Sequence, residues 1–180
     1  MNHIGTRTIK TDRLILRRFT KEDAKEIYEG YVNQKDFLYY AHKEKRTLQE
    51  EIDSLKEIDE KYENPEYYNW LITTKDDKKI IGSINLNVRN HNESVEFNYA
   101  IDDRYKGKGY MTEALEAVKN YCLKEVKVNR IYGGCEINNI ASKRVMEKCA
   151  FIYEGTLRSY LKLKDGYHDM HMYALINKER

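Results

Sequence analysis

Residues 104–115 read Arg-Tyr-Lys-Gly-Lys-Gly-Tyr-Met-Thr-Glu-Ala-Leu, near the middle of the 180-residue chain. They connect residues 95–101, which alternate like a β-strand, to a segment with the apolar spacing of a helix. Glycines let the backbone approach a ligand closely, and the first N–H groups of a helix have no internal partner. The helix dipole adds partial positive charge at the same end. The stretch therefore predicts a cradle for a phosphate or pyrophosphate.

The spacing of the two glycines narrows the choice of ligand. Neither Gly-x-Gly-x-x-Gly, the dinucleotide fingerprint, nor the P-loop pattern Gly-x4-Gly-Lys-Ser/Thr is present. Residues 104–109 instead read Arg-x-x-Gly-x-Gly, which resembles the pyrophosphate-binding signature of the Gcn5-related N-acetyltransferases. On this hexapeptide alone, a lysine-rich turn before a surface helix is the competing interpretation.

Composition limits the class of protein. The chain is 41% hydrophobic and 34% charged, and 32 Lys and Arg against 30 Asp and Glu leave a net charge of +2. This balance argues against a nucleic-acid protein driven by bulk charge. There is no apolar run of ~20 residues and no signal-peptide core, so we expect a cytoplasmic protein without a membrane span. The cysteines are few and widely spaced, which indicates core residues rather than zinc ligands or disulfides.

The order of predicted elements indicates one α/β domain over residues 1–180. We predict a strand at 9–19, helices after Thr20 and Thr47, and an antiparallel meander of strands at 67–74, 80–88 and 95–101. Gly82 suggests a bulge in the second of these strands. The helix after the glycine loop is followed by strand 130–137, a short helix 140–149, and strands 151–158 and 168–176. Because strand 130–137 is reached through a helix, we expect it to run parallel to strand 95–101.

Several further segments resemble one branch of the same superfamily, the RimJ/RimL group of ribosomal-protein N-acetyltransferases. In order they read Thr11-Asp-Arg-Leu-Ile-Leu-Arg-Arg-Phe19, Ile80-Ile-Gly-Ser-Ile84, Glu96-Phe-Asn-Tyr-Ala-Ile101, Asn139-Ile-Ala-Ser-Lys-Arg-Val-Met-Glu-Lys-Cys-Ala-Phe151 and Glu154-Gly-Thr-Leu-Arg158. Asn98 stands where glycine is usual, and Tyr105 where tryptophan is more usual. The resemblance runs from about residue 9 to 176.

The resemblance implies a Gcn5-related (GNAT) fold. This is a mixed, mostly antiparallel central sheet with a splayed parallel strand pair at the cofactor cleft, flanked by about four helices. It implies acetyl-CoA as acetyl donor and no metal. The acceptor would be a primary amine on a protein N-terminus, a polyamine or a small molecule, and a homodimer is plausible. The acceptor cleft would lie between the helices of residues 21–62 and the segment 158–168.

Carried over by position, the resemblance also implies a set of site residues. Backbone N–H groups of about 104 to 109 would hold the pyrophosphate, Ile101 would pair with the pantetheine amides, and Asn139 would bond the pantetheine arm. The complete cofactor-binding set is Ile101, Arg104, Tyr105, Lys106, Gly107, Lys108, Gly109, Tyr110, Met111, Thr112, Asn139 and Ser142. Asn139 is also a good helix N-cap, and Ser142 has a solvent-facing alternative.

The catalytic residues expected are Glu96 and Ser142. An amine that attacks a thioester needs a neutral nitrogen, an oxyanion site and a proton for the leaving thiolate. Glu96, beside the cleft, is the first candidate for the base, with Glu93, His91 and His168 as lesser ones; a surface carboxylate is the bland alternative for Glu96. Many relatives place a tyrosine acid where this chain has Met146, so Ser142, another tyrosine or no acid would serve.

Three functions remain open from the sequence. The first is an acetyl-CoA-dependent N-acetyltransferase. The second is a regulatory or sensor module that binds acetyl-CoA but has lost turnover, which Met146 mildly favours. The third, a different phosphate-binding enzyme such as a nucleotide transferase, lacks the Walker lysine pattern and a paired-carboxylate metal motif.

Overall fold

The computed structural model describes residues 1–178, and the eight strands there form one sheet in the order β1-β2-β3-β4-β5-β6-β8-β7. The strands are β1 (Ile9–Lys10), β2 (Leu14–Arg17), β3 (Tyr68–Thr74), β4 (Ile80–Arg89), β5 (Ser94–Ile101), β6 (Arg130–Glu136), β7 (Ile152–Leu163) and β8 (Gly166–Ile176). The helices are α1 (Ala24–Glu29), α2 (Lys35–Tyr40), α3 (Leu48–Lys61), α4 (Tyr110–Tyr121) and α5 (Ile140–Lys148). A π-helical turn, Cys122–Val126, extends α4.

The predicted first strand is wrong as a single element. Residues 9–17 fold into a hairpin, in which Ile9 pairs with Leu16 and Lys10 with Ile15. The break falls at Thr11, whose hydroxyl accepts a hydrogen bond from Leu14 N at 2.9 Å and so closes the turn locally. This turn brings Arg13 to the start of α4, a position that the strand prediction did not anticipate.

The predicted meander and the bulge at Gly82 are confirmed. β3, β4 and β5 pair antiparallel, and the register slips so that Ile72 faces Gly82 while Thr73 faces Ile80. A Cβ atom at residue 82 would collide with the Ala100 carbonyl of β5. Glycine is therefore required there, because the neighbouring strand passes too close for any side chain.

One parallel pair lies within the sheet that residues 1–178 form, and it opens like a wedge. β5 and β6 pair over Ser94–Glu96 and Arg130–Tyr132 only. Beyond that point β5 continues along β4 while β6 continues along β8. The splayed parallel pair expected from the resemblance is thus confirmed.

Aromatic packing sets the base of this wedge. A Cβ at Gly133 would lie 2.5 Å from the Phe97 ring, so the Phe97 side chain occupies the space that another residue at 133 would need. Phe97 also packs edge-on against Phe151, with 4.9 Å between ring centroids. Both phenylalanines are buried. This packing fixes β5 and β6 at the point where they separate, so the opening beyond that point is a consequence of how the core packs.

Two cores cover the two faces of the sheet. The larger one packs the sheet against α4 and α5 and includes Trp70, Ile84, Leu115 and Met146. The smaller one packs the opposite face against α1 and α3, with Ile27, Leu55 and Leu71 as members. Cys122, Cys135 and Cys149 are buried free thiols, as predicted, and burial raises the pKa of Cys135 and Cys149 to about 11.

Candidate active site

The glycine loop ends in a cradle of backbone N–H groups. Gly107 and Gly109 have φ angles of 74° and 80°, in the left-handed region that favours glycine, and Gly109 is the N-cap of α4. Among the residues that the structure describes, none accepts a hydrogen bond from the N–H groups of 107–112. The N–H groups of 104–106, which the resemblance also assigned to the pyrophosphate, instead donate to Asp102 and Asp103 within the loop. A Cβ at Gly107 would meet no atom within 4 Å. An anion that reaches this space therefore meets several donors and the positive end of α4.

The side chains of Arg104 and Lys106 shape the loop and do not line the cradle. Arg104 donates to both carboxylate oxygens of Asp102, at 2.9 and 2.6 Å, and the Asp102 side chain is 0% exposed. Burial opposes ionisation of Asp102, but the hydrogen bonds from Arg104 outweigh it and hold the pKa of this carboxyl below its ordinary value. Lys106 Nζ lies 2.5 Å from carboxylate oxygens of Asp36 and Asp103, which ties the loop to α2.

The backbone of β5 beyond the wedge base offers an open edge. Ile101 pairs with Gly82 on β4, but residues 97–101 have no pairing to β6 on their other side. An extended amide-containing molecule has the right chemistry to pair there, as an added strand would. Ile101, which was predicted to pair with the pantetheine amides, lies on this open edge directly before the glycine loop.

Tyr99 and Ser142 face each other across the wedge. The Tyr99 hydroxyl lies 2.7 Å from Ser142 Oγ and 3.2 Å from the Ser142 carbonyl oxygen. Burial raises the pKa of Tyr99, and the hydrogen bond to Ser142 offsets this only in part. Tyr99 therefore carries its proton at neutral pH, and the hydrogen bond with Ser142 Oγ holds its hydroxyl in the wedge.

Asn139 occupies the N-cap position that the sequence predicted. Its side-chain oxygen accepts a hydrogen bond from Ser142 N at 3.1 Å, which fixes the first turn of α5 beside the wedge. Met146, at the position where the resemblance implies a tyrosine in many members of the wider superfamily, is fully buried in the core. Tyr99, which the sequence analysis did not single out, brings a tyrosine hydroxyl to the wedge from β5 instead.

Glu96 lies at the last paired position before β5 and β6 part, opposite Tyr132. Its side chain is 22% exposed, and its nearest cation is Arg89, with 3.8 Å between Glu96 Oε2 and Arg89 Nη2. Because Glu96 is only loosely paired and remains partly accessible, its carboxylate is better suited to accept a proton than to serve as a structural ion pair. Of the lesser candidates, Glu93 accepts a hydrogen bond from the N-terminal amine of Met1, with 2.9 Å between Met1 N and Glu93 Oε1. His91 lies in an exposed turn.

A second carboxylate on the same sheet face was missed by the sequence analysis. Glu136 ends β6 with its side chain 3% exposed, and its oxygens accept hydrogen bonds from the backbone and side-chain nitrogens of Asn138, each at 2.8 Å. His168 Nδ1 lies 3.4 Å from Glu136, and His168 Nε2 lies 3.0 Å from Asp165, which also accepts from Tyr39. His168 thus joins Glu136 and α2, away from Glu96 in sequence and in sheet register.

Two kinds of site are not found within the described part of the chain. No group of three or more His, Cys, Asp or Glu side chains there is placed to hold a metal ion. No helix among residues 1–178 combines the length and the apolar character needed to cross a bilayer.

Known proteins match both the sequence and the fold. The sequence profile of the acetyltransferase (GNAT) domain matches residues 13–152. A Bacillus subtilis protein named "Probable N-acetyltransferase YjcK" is 32% identical over 135 residues, 74% of this chain and 75% of its own length. The ribosomal-protein-serine acetyltransferase of Escherichia coli is 27% identical over 95% of this chain and 97% of its own.

The fold has equally clear counterparts. The solved structure of RimL, a ribosomal L7/L12 α-N-protein acetyltransferase in complex with coenzyme A, superposes with a TM-score of 0.85 at 20% identity and covers 97% of this chain and 100% of its own. Enzymes of the matched family use acetyl-CoA as acyl donor. With its wedge, its glycine cradle and the profile match over most of its length, the chain belongs to the GNAT family of N-acetyltransferases.

Proposed function

We propose that this protein transfers the acetyl group of acetyl-CoA to the α-amine of a protein N-terminus by direct attack. The observation that carries the proposal is the continuity of two features, an open wedge between β5 and β6 and a cradle of partner-free N–H groups where β5 ends. Together they suit a long ligand with a pyrophosphate at one end and amides along its arm. The names of relatives support a protein acceptor, since two are a ribosomal-protein-serine and a ribosomal-protein-alanine acetyltransferase.

The proposed roles follow the position of each group. Backbone N–H groups of 107–112 bind the pyrophosphate, and the open edge of residues 97–101 pairs with the amide-containing arm. Asn139 positions α5 beside that arm. A bound thioester supplies the acetyl group, and a backbone N–H on β5 stabilises the oxyanion that forms.

Proton transfer is assigned to both sides of the wedge. Glu96 accepts the proton that the attacking amine loses, directly or through a water molecule, from the sheet face that carries α1–α3. The Tyr99–Ser142 pair supplies a proton to the departing thiolate from the other face. Thiols of this kind have a pKa of about 8.5, so the second transfer contributes modestly near neutral pH.

A turnover assay separates this function from the binding module that the sequence left open. Purified protein is mixed with acetyl-CoA and, in separate reactions, with short peptides that have free or blocked N-termini or with polyamines, and free CoA thiol is measured together with the mass of the acceptor. The proposal expects acceptor-dependent thiol release and a mass gain of one acetyl group on free N-termini only. Tight acetyl-CoA binding without release on any peptide or polyamine would support the module instead.

Two further expectations from the sequence stay predictions. These are a cytoplasmic location and a homodimer, and the homodimer is an expectation from the family resemblance alone. Cell fractionation and light scattering at several protein concentrations test them.

A further inference from the structure

The turn between β1 and β2 reaches the glycine loop through one side chain, Arg13. Its Nε donates to Glu113 Oε2 at 2.7 Å, and its backbone N donates to Glu113 Oε1 at 2.8 Å. The Thr11 hydroxyl donates to the same oxygen at 2.6 Å. Glu113 lies in the first turn of α4, so these three bonds hold the hairpin turn against the cradle.

The far end of the guanidinium lies beside the cradle itself. Arg13 Nη1 donates to the Lys108 carbonyl at 3.0 Å, and the guanidinium carbon lies 4.4 Å from the centre of the Tyr110 ring. Nη2 lies 3.5 Å from the point that a Cβ at Gly109 would occupy. No atom within residues 1–178 accepts a hydrogen bond from Nη2, and the side chain is 47% exposed.

Two of the three cationic side chains on the loop are bound by carboxylates, and the Nζ of the third, Lys108, lies 5.2 Å from the centre of the Tyr105 ring. Arg104 is bound to Asp102, and Lys106 is bound to Asp36 and Asp103. An arginine has five N–H donors in a fixed fork, of which Arg13 uses one on Nε and one on Nη1 for the protein. The remaining Nη donors are held in place by the stacking on Tyr110 and by Glu113, which keeps the entropy cost of binding an oxyanion low.

We propose that Arg13 is a phosphate ligand of the donor site, which is therefore assembled from two parts of the chain about a hundred residues apart. Its Nη2 donates to a phosphate oxygen of the bound CoA moiety, while Nε and Nη1 keep the loop in place. The ligand chemistry is that of a phosphate ester, and CoA offers two sources, the pyrophosphate and the 3′-phosphate of the ribose. The inference rests on the proposed function, since it specifies how the same donor is held.

Calorimetric titration of CoA and of dephospho-CoA, which lacks the 3′-phosphate, tests the inference. Arg13→Gln should weaken CoA binding by about 10- to 100-fold, the usual range for a lost hydrogen bond to a charged group. An equal loss with dephospho-CoA identifies the pyrophosphate as the partner, and a loss with CoA alone identifies the 3′-phosphate. Arg7→Gln is the matched control, because it makes the same change in charge at another exposed arginine. Arg7 lies near Tyr121, at the other end of α4 from the cradle.

If Arg13 only held the hairpin turn against the loop and did not bind phosphate, different results would be expected. Glu113→Gln weakens the brace but keeps the Arg13 charge and removes a nearby negative charge, so it should not flatten the salt dependence of the CoA dissociation constant. Arg13→Gln should flatten that dependence, because one phosphate-directed charge is lost. Should Arg13→Gln not fold, as judged by its thermal melt, Arg13→Lys keeps the charge without the fork and is expected to lose binding to an intermediate extent.

The outcomes keep this inference separate from the proposed function. If the wild type binds CoA and Gly109→Val does not, but Arg13→Gln binds like Arg7→Gln with an unchanged salt dependence, the Arg13 inference is overturned and the function stands. If the wild type binds neither CoA nor acetyl-CoA, the proposed function itself fails.

Discussion

The Tyr99 hydroxyl and Ser142 Oγ lie 2.7 Å apart, one on β5 and the other on the first turn of α5, across the wedge that separates β5 from β6. Met146, in the core, fills the position where the resemblance implies a tyrosine in many members of the superfamily, and Tyr99 places a tyrosine hydroxyl in the wedge from β5. This pair is the donor side of the proton chemistry that we propose.

Removing either hydroxyl should slow turnover without releasing the donor. Tyr99→Phe and Ser142→Ala are each expected to lower kcat by about tenfold, and the double variant should be no worse than about threefold beyond either single one, because the two groups act as a unit. Steady-state kinetics with a peptide acceptor measures this, and acetyl-CoA affinity serves as control. Fully multiplicative losses would mean that the two hydroxyls act independently.

Filling the cradle should abolish donor binding while the fold persists. Gly107→Val and Gly109→Val each place a branched side chain where a phosphate would lie, and each also forces a β-branched residue to a positive φ, which costs about 1–3 kcal/mol. We expect no measurable acetyl-CoA binding by calorimetry and a folded circular dichroism spectrum. Gly155→Ala, at another glycine with positive φ but outside the loop, is the control. Undiminished affinity in both valine variants would remove the loop from the site.

Glu96 and Glu136 are the two carboxylates that compete for the role of base, and they predict different defects. Glu96→Gln should lower kcat/KM for the acceptor by about 100-fold, with acetyl-CoA affinity unchanged. Glu136→Gln should act mainly on stability, because Glu136 accepts both hydrogen bonds of Asn138 and holds the turn before α5. Measuring kcat/KM and the free energy of unfolding for both variants decides between them. The reverse pattern would make Glu136, with His168, the base.

Acid should loosen the glycine loop through Asp102. Its pKa in the folded protein lies below its ordinary value of 3.8, so its stabilising contribution is present above that value and is lost as the pH falls below it. Asp102→Asn should remove this branch of the pH–stability curve and weaken acetyl-CoA binding at neutral pH, because the partner of Arg104 is lost. Urea denaturation between neutral and acidic pH measures the first effect. Parallel curves for the wild type and the variant would show that Asp102 does not titrate with folding.

Most of the fold could be predicted from the sequence, because the local signals for strands and helices agree with the order in which those elements pair. Aromatic and β-branched residues indicated β3, and alternation indicated β4 and β5. The capping box of Thr47 and Glu50 indicated the start of α3, and the crossover through α4 predicted the parallel pairing of β5 with β6. The hairpin at Thr11 and the six-residue helix α2 were not predicted. The hairpin turn is stabilised by a contact with Glu113, a hundred residues away. α2 is as short as α1, but it starts after Gln34 without a side-chain cap and has no fully buried residue, so neither a cap nor an apolar face indicated it.

The part of the candidate site that consists of backbone groups was predictable from the sequence, and the contacts between distant side chains were not. The glycine spacing indicated the cradle because only a few backbone conformations suit a phosphate. Nothing local indicates that Tyr99 reaches Ser142 or that Arg13 reaches the loop, since each contact depends on how distant elements pack. Arg104 and Lys106 read as phosphate ligands by charge, but nearby carboxylates bind their side chains.

One experiment tests the central claim most directly, a single-turnover reaction of excess protein with acetyl-CoA and a peptide that has a free N-terminus. The wild type should release one CoA thiol per acetyl-CoA and add one acetyl group to the peptide α-amine, and Gly109→Val should do neither. Thiol release without an acetylated peptide, or an equal rate in the Gly109→Val protein, would contradict the account.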